Sequence, residues 1–339
     1  MNKIRIGTRG SKLALKQAAF VQEALRQADS EIETEIVVVH TKGDKIQDKP
    51  FIEIGDKGVF ASELERALVC GEIDMAVHSA KDLPVKLAEG LTIAAVLPRG
   101  DVRDVLVIPE DGRMPVSTGN LIKQTKLYAK ENEIMETSDA SGRRFVIGTG
   151  GRRRQQQAAR IWENVVCVNI RGNVDTRLRK LKDGGEDGTV YDGIIVAKAG
   201  LDRLGVDIER KEEFLFCPLP PEQFLPAACQ GIIAVETRRD SATAMLCKKI
   251  NDAKTELCFS IEREVLAQLA ADCSEAAAAW CRQERDGLVL DVMYADRRES
   301  LVCTAVLSVG ETEAEREEQL RAGLELARKA ARLVKRENV

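Results

Sequence analysis

Five arginines stand close together where two consecutive predicted strands end. They are Arg152, Arg153, Arg154, Arg171 and Arg177. The first three follow a Gly-rich turn (GTGG, 148–151), and the other two flank the sequence GNVDT (172–176). Backbone N–H groups at a helix start attract anions, and a guanidinium group can form paired hydrogen bonds with a carboxylate or phosphate. This composition predicts a pocket for a poly-anion, with solvated arginines at helix starts as the alternative.

Other predicted strands end in similar residues. The endings include TRGS (8–11), TKGD (41–44), HSAKD (78–82) and AKAG (197–200). In an open α/β sheet, ligands bind beyond the carboxyl ends of the strands. Pro-containing stretches at 98–103 and 217–226 are typical of passages between lobes. The pattern therefore predicts a two-lobed, hinge-connected α/β protein with an anion site between its lobes.

Composition excludes several classes of protein. The chain has 339 residues, which predicts more than one domain, and 44% of them are apolar, as in globular proteins. Its net charge of -4 and its 4% aromatic content argue against a nucleic-acid binder. Nucleic-acid binding is therefore the least favoured of the functions considered for this chain.

Cysteine usage and the N-terminus favour a cytoplasmic protein. The nine cysteines include no C-x-x-C pair, and only His40 and His78 could add imidazole ligands, so no metal site is expected. We expect free thiols, most of them buried. The sequence begins directly with a predicted strand, without a signal-peptide pattern, and no apolar run is long enough to cross a membrane.

Hydrophobic periodicity predicts alternating strands and helices. Strands are expected at 3–6, 34–40, 73–77, 91–97, 104–109, 145–147, 165–170, 191–200 and 229–237, and helices at 12–28, 240–251, 259–270 and 311–336. Hairpin-like strands should precede the last helix, whose predicted buried stripe is Leu320, Leu324, Ala327, Ala331 and Leu333. The polar segment 110–143 is a long excursion with a short helix near 120–131. The prolines at 218, 220, 221 and 226 indicate a linker.

Taken together, the motifs resemble one family, the porphobilinogen deaminases. They are IGTRGSKLALKQA, HTKGD, DKGVFASELE, AVHSAKDLP, GTGGRRRQQQ, IRGNVDTRL, AKAGLDRLG, CQGIIAVE and ADCSEA, and they cover nearly the whole chain. The resemblance implies an α/β fold of two periplasmic-binding-protein-like lobes plus a small α+β C-terminal domain. Domain 1 would comprise 1–98 and 227–248, domain 2 would comprise 99–226 with the inserted segment 110–143, and domain 3, cofactor-bearing, would comprise 249–339.

The same resemblance implies a transferase of porphyrin and haem biosynthesis, a hydroxymethylbilane synthase. Such an enzyme joins four porphobilinogen molecules head to tail and releases four molecules of ammonia. A dipyrromethane cofactor, linked by a thioether to Cys273, would prime the chain. Asp82 would act as acid/base and cation stabiliser. A monomer is implied, with the product passed to uroporphyrinogen-III synthase and with no nucleic-acid or membrane partner.

The resemblance also implies a set of binding residues, because each added ring brings an acetate and a propionate. The arginines of this set are Arg9, Arg153, Arg154, Arg171, Arg177 and Arg203. Its other members are Ser11, Gln17, Lys57, Phe60, Ser79, Lys81 and Thr149, with Gln17 and Phe60 placed near the cofactor. From the residues alone, a turn residue before Leu83-Pro84 is the favoured interpretation of Asp82, and a structural thiol is the favoured interpretation of Cys273. Phe60 fits a core position equally well.

Several positions depart from the family pattern. Asp272 precedes Cys273 where a glycine is usual, and Ala276 replaces an expected proline. Gly151 and Arg152 occupy the place of a Ser-Leu pair, Glu53 stands where lysine is common, and 110–143 is longer than usual. These departures motivate the alternative hypothesis of a non-catalytic, two-lobed anion-binding protein of the same fold.

Overall fold

The structure, a computed structural model, describes residues 3–40, 61–110, 144–162, 165–208, 213–271, 275–285, 287–295, 297–303 and 312–335. The chain divides into two compact units, one of Met1–Gly100 with Ala227–Val339 and the other of Asp101–Pro226. We call the second unit lobe 2. Within the first unit, lobe 1 is the part up to residue 250, and the C-terminal domain is the part from residue 253 onward.

The elements alternate as expected for an α/β protein. The strands are β1 (Ile4–Thr8), β2 (Thr34–Val38), β3 (Met75–Ser79), β4 (Leu91–Val96), β5 (Asp104–Pro109), β6 (Phe145–Gly148), β7 (Val165–Val168), β8 (Gly193–Ala197), β9 (Phe214–Pro218), β10 (Ile233–Arg238), β11 (Ala277–Glu284), β12 (Gly287–Tyr294) and β13 (Arg297–Cys303). The α-helices are α1 (Lys12–Ala28), α2 (Ser62–Val69), α3 (Arg152–Ile161), α4 (Val174–Asp183), α5 (Lys198–Leu204), α6 (Ala242–Cys247), α7 (Ala253–Leu269) and α8 (Glu313–Lys335). Short 3-10 turns occur at Ala80–Asp82 and Lys248–Ile250.

Lobe 1 is built on a five-stranded mixed sheet in the order β2-β1-β3-β10-β4. Strand β1 is parallel to β2 and β3, whereas β10 is antiparallel to both of its neighbours. Helix α1 begins where predicted because the Ser11 side chain caps it, accepting a hydrogen bond from Ala14 N at 3.2 Å. Val21 and Leu25 on its inner face pack with Met75 in the core of the lobe.

Lobe 2 repeats this arrangement with the strand order β7-β6-β8-β5-β9. Strand β6 is parallel to β7 and β8, and β5 is antiparallel to β8 and β9. In each sheet, the antiparallel strand follows a passage of the chain between the units: β5 begins lobe 2 after Asp101, and β10 is the first strand after the chain returns to lobe 1 at Ala227. Its first residues therefore lie at the edge where the parallel strands end.

The C-terminal domain consists of the antiparallel sheet β11-β12-β13 with helices α7 and α8. Ile261 and Val265 of α7 share a core with Leu290 of β12 and Ala327 of α8. Two α/β lobes and a small α+β domain confirm the predicted fold class. The buried stripe of α8 is Gly323, Leu326, Ala327, Ala330, Ala331 and Val334, so the predicted Leu320, Leu324 and Leu333 lie at its margin, half-buried.

Strand β9 was missed by the sequence analysis, which indicated a linker from residue 218. It pairs with β5 from Val105↔Pro218 to Pro109↔Phe214. Because β9 is the edge strand of its sheet, the missing N–H of Pro218 can face away from the partner strand. A short apolar run beside several prolines resembles a loop in sequence, and only the pairing with β5 makes it a strand.

Several predicted boundaries were wrong, and three of them bear on the site or on the C-terminal domain. Strand β10 begins at Ile233 and not at residue 229, because Cys229 adopts a left-handed conformation (φ 61) in a turn. Strand β8 ends at Ala197, and Lys198 already belongs to α5. Helix α7 begins at Ala253 rather than near residue 259. The segment 111–143, with its predicted helix, lies outside the described residues.

The described cysteines are free thiols, as predicted for that part of the chain. Cys217, Cys229, Cys247 and Cys281 are buried, and burial raises the pKa of Cys247 to about 12. Thiols of this kind are chemically quiet at neutral pH. Among the described residues, no helix combines the length and the apolar character needed to span a membrane.

Helix α7 owes its early start to Asp252. The Oδ1 atom of this residue accepts a hydrogen bond from Thr255 N at 2.8 Å. We expect Asp252→Ala to lower the free energy of unfolding by about 1 kcal/mol, because an N–H of the first turn loses its acceptor. Urea denaturation measures the change. Asp252→Asn keeps the acceptor oxygen and serves as the control, so equal losses in the two variants would contradict the capping role.

Candidate active site

The polar strand ends of lobe 1 meet at one edge of its sheet. Strands β1 and β3 are parallel neighbours, so the residues that follow Thr8 and Ser79 emerge at the same edge. Gln17 is buried on α1, the helix that follows β1, and it contacts the end of β3. Its Nε2 lies 2.9 Å from Ser79 Oγ. Ser11 follows β1 and caps α1, and Arg9 precedes it, partly buried. Four predicted site residues of lobe 1 are thus brought together.

Asp82 ends the 3-10 turn that follows β3, and its side chain is exposed. The turn is anchored through Ala80 N, which donates to Ile232 O at 3.0 Å. Lys81, beside Asp82, extends its Nζ to within 3.4 Å of Gln230 Oε1. A carboxylate accessible to a ligand therefore stands next to an ammonium group at the edge where ligands of α/β sheets bind.

Gln230 was missed by the sequence analysis. It is fully buried and lies just before β10, whose register pairs Ile233 with Ser79. Because β10 is antiparallel, its beginning reaches the edge where β3 ends. The signal that could have found Gln230 is the direction of the strand: a residue before an antiparallel strand lies beside residues that follow a parallel one.

In lobe 2, two parallel neighbours bring Thr149 and Arg171 to one edge. Thr149 N donates to Val168 O at 2.9 Å, at the point where β6 and β7 end. The Arg177 Nε donates to Gly172 O at 2.9 Å. Gly172 has φ +108, and a Cβ there would lie 2.5 Å from the Thr176 side chain, so this turn requires glycine.

Arg153 and Arg154 lie inward from this edge and are only 6% and 8% exposed. Both contact Asp104: Arg154 Nη2 donates to its Oδ1 at 2.7 Å, and Arg153 Nη1 lies 2.8 Å from its Oδ2. Arg153 Nη1 also donates to Leu225 O at 2.6 Å, and Arg154 Nη1 to Ile195 O at 3.1 Å. Two guanidinium groups share one carboxylate, so the cluster keeps one net positive charge.

Asp104 is a second residue that the sequence analysis missed. It is fully buried and is the first residue of β5, paired with Ala197 at the end of β8. As with Gln230, the antiparallel direction of its strand places it at the ligand-binding edge. Burial lowers the pKa of Arg153, and the neighbouring Asp104 carboxylate opposes this shift. The carboxylate therefore offsets part of the cost of burying the Arg153 charge inside the lobe.

Of the remaining predicted residues, some are described by the structure and others lie outside the described residues. Arg203 on α5 and Arg171 after β7 are partly buried, and desolvation by burial lowers the pKa of each. Arg152, the first residue of α3, is exposed. Lys57, Phe60 and Cys273 lie outside the described residues, as do the departures at Glu53 and Asp272.

Known proteins of one family share the sequence that carries these strand ends. A profile described as "Porphobilinogen deaminase, dipyromethane cofactor binding domain" matches residues 4–246, which carry every polar strand end described above. The chain belongs to the porphobilinogen deaminase family. It is 38% identical to the porphobilinogen deaminase of Streptococcus sanguinis over 87% of each chain. It is 37% identical to the probable porphobilinogen deaminase of Archaeoglobus fulgidus over 86% of this chain and 88% of that protein.

Family membership confirms the predicted family and, at the level of the class, a transferase of tetrapyrrole synthesis. These relatives do not favour the alternative of a non-catalytic anion-binding protein. Among solved structures, an ancestral cationic amino acid solute binding protein matches with a TM-score of 0.38 and 9% identity, covering 77% of this chain and 94% of that one.

The matched domain of porphobilinogen deaminases binds a dipyrromethane, and the residues present fit such a group. Thr149 Oγ1 is buried and has no hydrogen-bond partner among the described residues. It stands beside the turns that carry Arg171 and Arg177. There the hydroxyl group can donate a hydrogen bond to a carboxylate of a ligand. Donors of this kind, together with guanidinium groups, match the acidic side chains of a pyrrole oligomer.

Proposed function

We propose that this chain is a hydroxymethylbilane synthase that joins four porphobilinogen molecules and releases four molecules of ammonia. The observation that carries the proposal is the exposed Asp82 carboxylate beside Lys81, at the ligand-binding edge of a lobe that matches the deaminase family. The dipyrromethane would supply the pyrrole carbon to which the first substrate molecule is joined. The steps below concern only the residues of this chain.

Asp82 is the proposed catalytic residue. Loss of ammonia from the aminomethyl arm of porphobilinogen leaves a cation on the substrate, and a carboxylate near the pyrrole N–H stabilises that charge. The same carboxylate can take up and return the proton that the ring loses after carbon–carbon bond formation. Its exposure fits this role, because a carboxylate enclosed by protein donors would not be available to a substrate.

The basic and hydroxyl side chains are proposed to hold the acetate and propionate groups. In lobe 1 these are Arg9, Ser11, Ser79 and Lys81, with Gln17 near the cofactor; in lobe 2 they are Thr149, Arg153, Arg154, Arg171, Arg177 and Arg203. Each charge-assisted hydrogen bond contributes about 1.5–3 kcal/mol. Because Arg153 and Arg154 share Asp104, we assign them one carboxylate together rather than one each.

Several finer points belong to the same proposal. Lys57 and Phe60 complete the binding set, and Cys273 carries the cofactor through a thioether in a third domain beginning at residue 249. The protein would act as a cytoplasmic monomer, and uroporphyrinogen-III synthase would receive its product. What supports these assignments is the correspondence of the motifs with those of the family.

Intact-mass measurement tests the proposal most directly. Protein purified from a haem-competent host should be heavier than its sequence mass by two pyrrole units, and Ehrlich's reagent should colour it. The Cys273→Ala variant should show the bare sequence mass and no colour, because no thioether can form. Cys281→Ala, which removes a buried thiol of the same domain, is the matched control and should keep the modification.

Two results would contradict the proposal. One is an unmodified wild-type mass in a host that makes haem, combined with porphobilinogen binding without ammonia release, as a non-catalytic anion binder would show. The other is a modification that survives the loss of Cys273, which would move the attachment point to another residue.

A further inference from the structure

Helix α7 of the C-terminal domain holds the segment of lobe 1 that follows Asp82. Arg263 Nη2 donates to the main-chain oxygens of Pro84 and Val85, each at 2.7 Å. The guanidinium carbon of Arg263 lies 5.5 Å from the centre of the Phe259 ring, one helical turn earlier on α7. A cation over an aromatic face is attracted to it, so the ring keeps the guanidinium group in place.

The main chain of the turn that contains Asp82 is held within lobe 1. Ala80 N donates to Ile232 O at 3.0 Å, and Leu83 N donates to Ala80 O at 3.3 Å. The Leu83 side chain is buried in one apolar cluster with Phe259. Among the described residues, no hydrogen bond to the Asp82 carboxylate itself is seen, so main-chain contacts on either side determine where it lies.

We propose that Arg263 is a positioning residue, which orients the Asp82 carboxylate by fixing the two carbonyl groups that follow it. The proposal rests on the function proposed above for Asp82. Pro84 already restricts Leu83 to an extended conformation (φ -71, ψ 140), and Arg263 fixes the direction in which the chain leaves it. A small displacement of a reacting group lowers rate steeply, by up to about 100-fold for 1 Å.

Arg263→Gln removes the charged donor while leaving Asp82 in place. We expect kcat for bilane formation to fall about 10–100-fold, with KM changed less than about threefold, because geometry is lost and the binding residues remain. Arg263→Lys keeps a cationic donor and should recover part of kcat. In an Asp82→Asn background, Arg263→Gln should have no further effect on kcat, because the group that it positions is already gone.

Arg238 offers a matched control within the same unit. Its Nη1 donates to the main-chain oxygens of Leu68 and Ile73, so it also joins two carbonyl groups, but it ends β10 at the opposite edge of the sheet. Arg238→Gln should lower the melting temperature and leave kcat within about twofold of the wild type. A merely structural role of Arg263 would make the two variants alike.

The assay is run on purified holoenzyme whose cofactor loading has been verified by intact mass. A kcat within about twofold of wild type in Arg263→Gln, or an equal loss from this substitution with and without Asp82, would overturn the positioning role. If Arg263→Gln does not fold, Arg263→Met, which keeps the packing over Phe259, enters the same cycle. Failure of the proposed function is seen separately, because the wild-type protein would then form no bilane.

Discussion

Asp82→Asn should lower kcat by about 100- to 10,000-fold and leave the fold nearly unchanged. The substitution keeps the size of the side chain but removes the charge that stabilises the substrate cation and the base that accepts its proton. Because the carboxylate is exposed, the free energy of unfolding should change by less than about 0.5 kcal/mol. A loss of rate without a loss of stability separates a catalytic Asp82 from one that merely completes a turn.

Steady-state kinetics of bilane formation measures this effect, with kcat expressed per molecule of cofactor-loaded protein. Asp82→Glu is the informative companion, because it keeps the charge and displaces it by one methylene group. It should retain more activity than Asp82→Asn. An asparagine variant with kcat within about tenfold of the wild type would remove Asp82 from the proposed chemistry.

The sequence was sufficient for those site features that lie on parallel strands. Hydrophobic periodicity placed α1 at Lys12–Ala28, and the Ser11 cap explains its start. Short apolar runs followed by polar residues placed β3 and β6, so the edges carrying Ser79 and Thr149 could be anticipated. In these elements, local pattern and tertiary position agree because a parallel strand can deliver only its carboxyl end to the ligand-binding edge.

The site residues that the sequence analysis missed owe their position in the site to the direction of a strand. Asp104 is the first residue of β5, and Gln230 lies just before β10. At such positions, residue type alone indicates nothing about a ligand. Their importance comes from antiparallel pairing, Asp104↔Ala197 and Ile233↔Ser79, between segments far apart in the chain. Likewise, the contact of Arg263 with Pro84 joins residues whose numbers differ by 179, and no local rule predicts it.

The largest effect on stability is expected at Asp104. Asp104→Asn should lower the free energy of unfolding by about 3–5 kcal/mol, because it leaves two buried guanidinium groups without their shared negative charge. Asparagine still offers an oxygen acceptor, so the loss reports mainly the charge. Thermal or urea unfolding of the purified protein measures it.

Asp101 provides the matched control, since it is an aspartate of the same lobe that also contacts two cations. Its Oδ2 lies 2.6 Å from Arg103 Nη2 and 3.7 Å from Lys198 Nζ, but its side chain is 22% exposed, whereas that of Asp104 is 0% exposed. Asp101→Asn should therefore cost less than about 1 kcal/mol. Equal losses in the two variants would mean that burial of Asp104 is not what makes its charge necessary. A large loss confined to Asp104→Asn would show that lobe 2 depends on this carboxylate to hold Arg153 and Arg154 in place and to balance their buried charges.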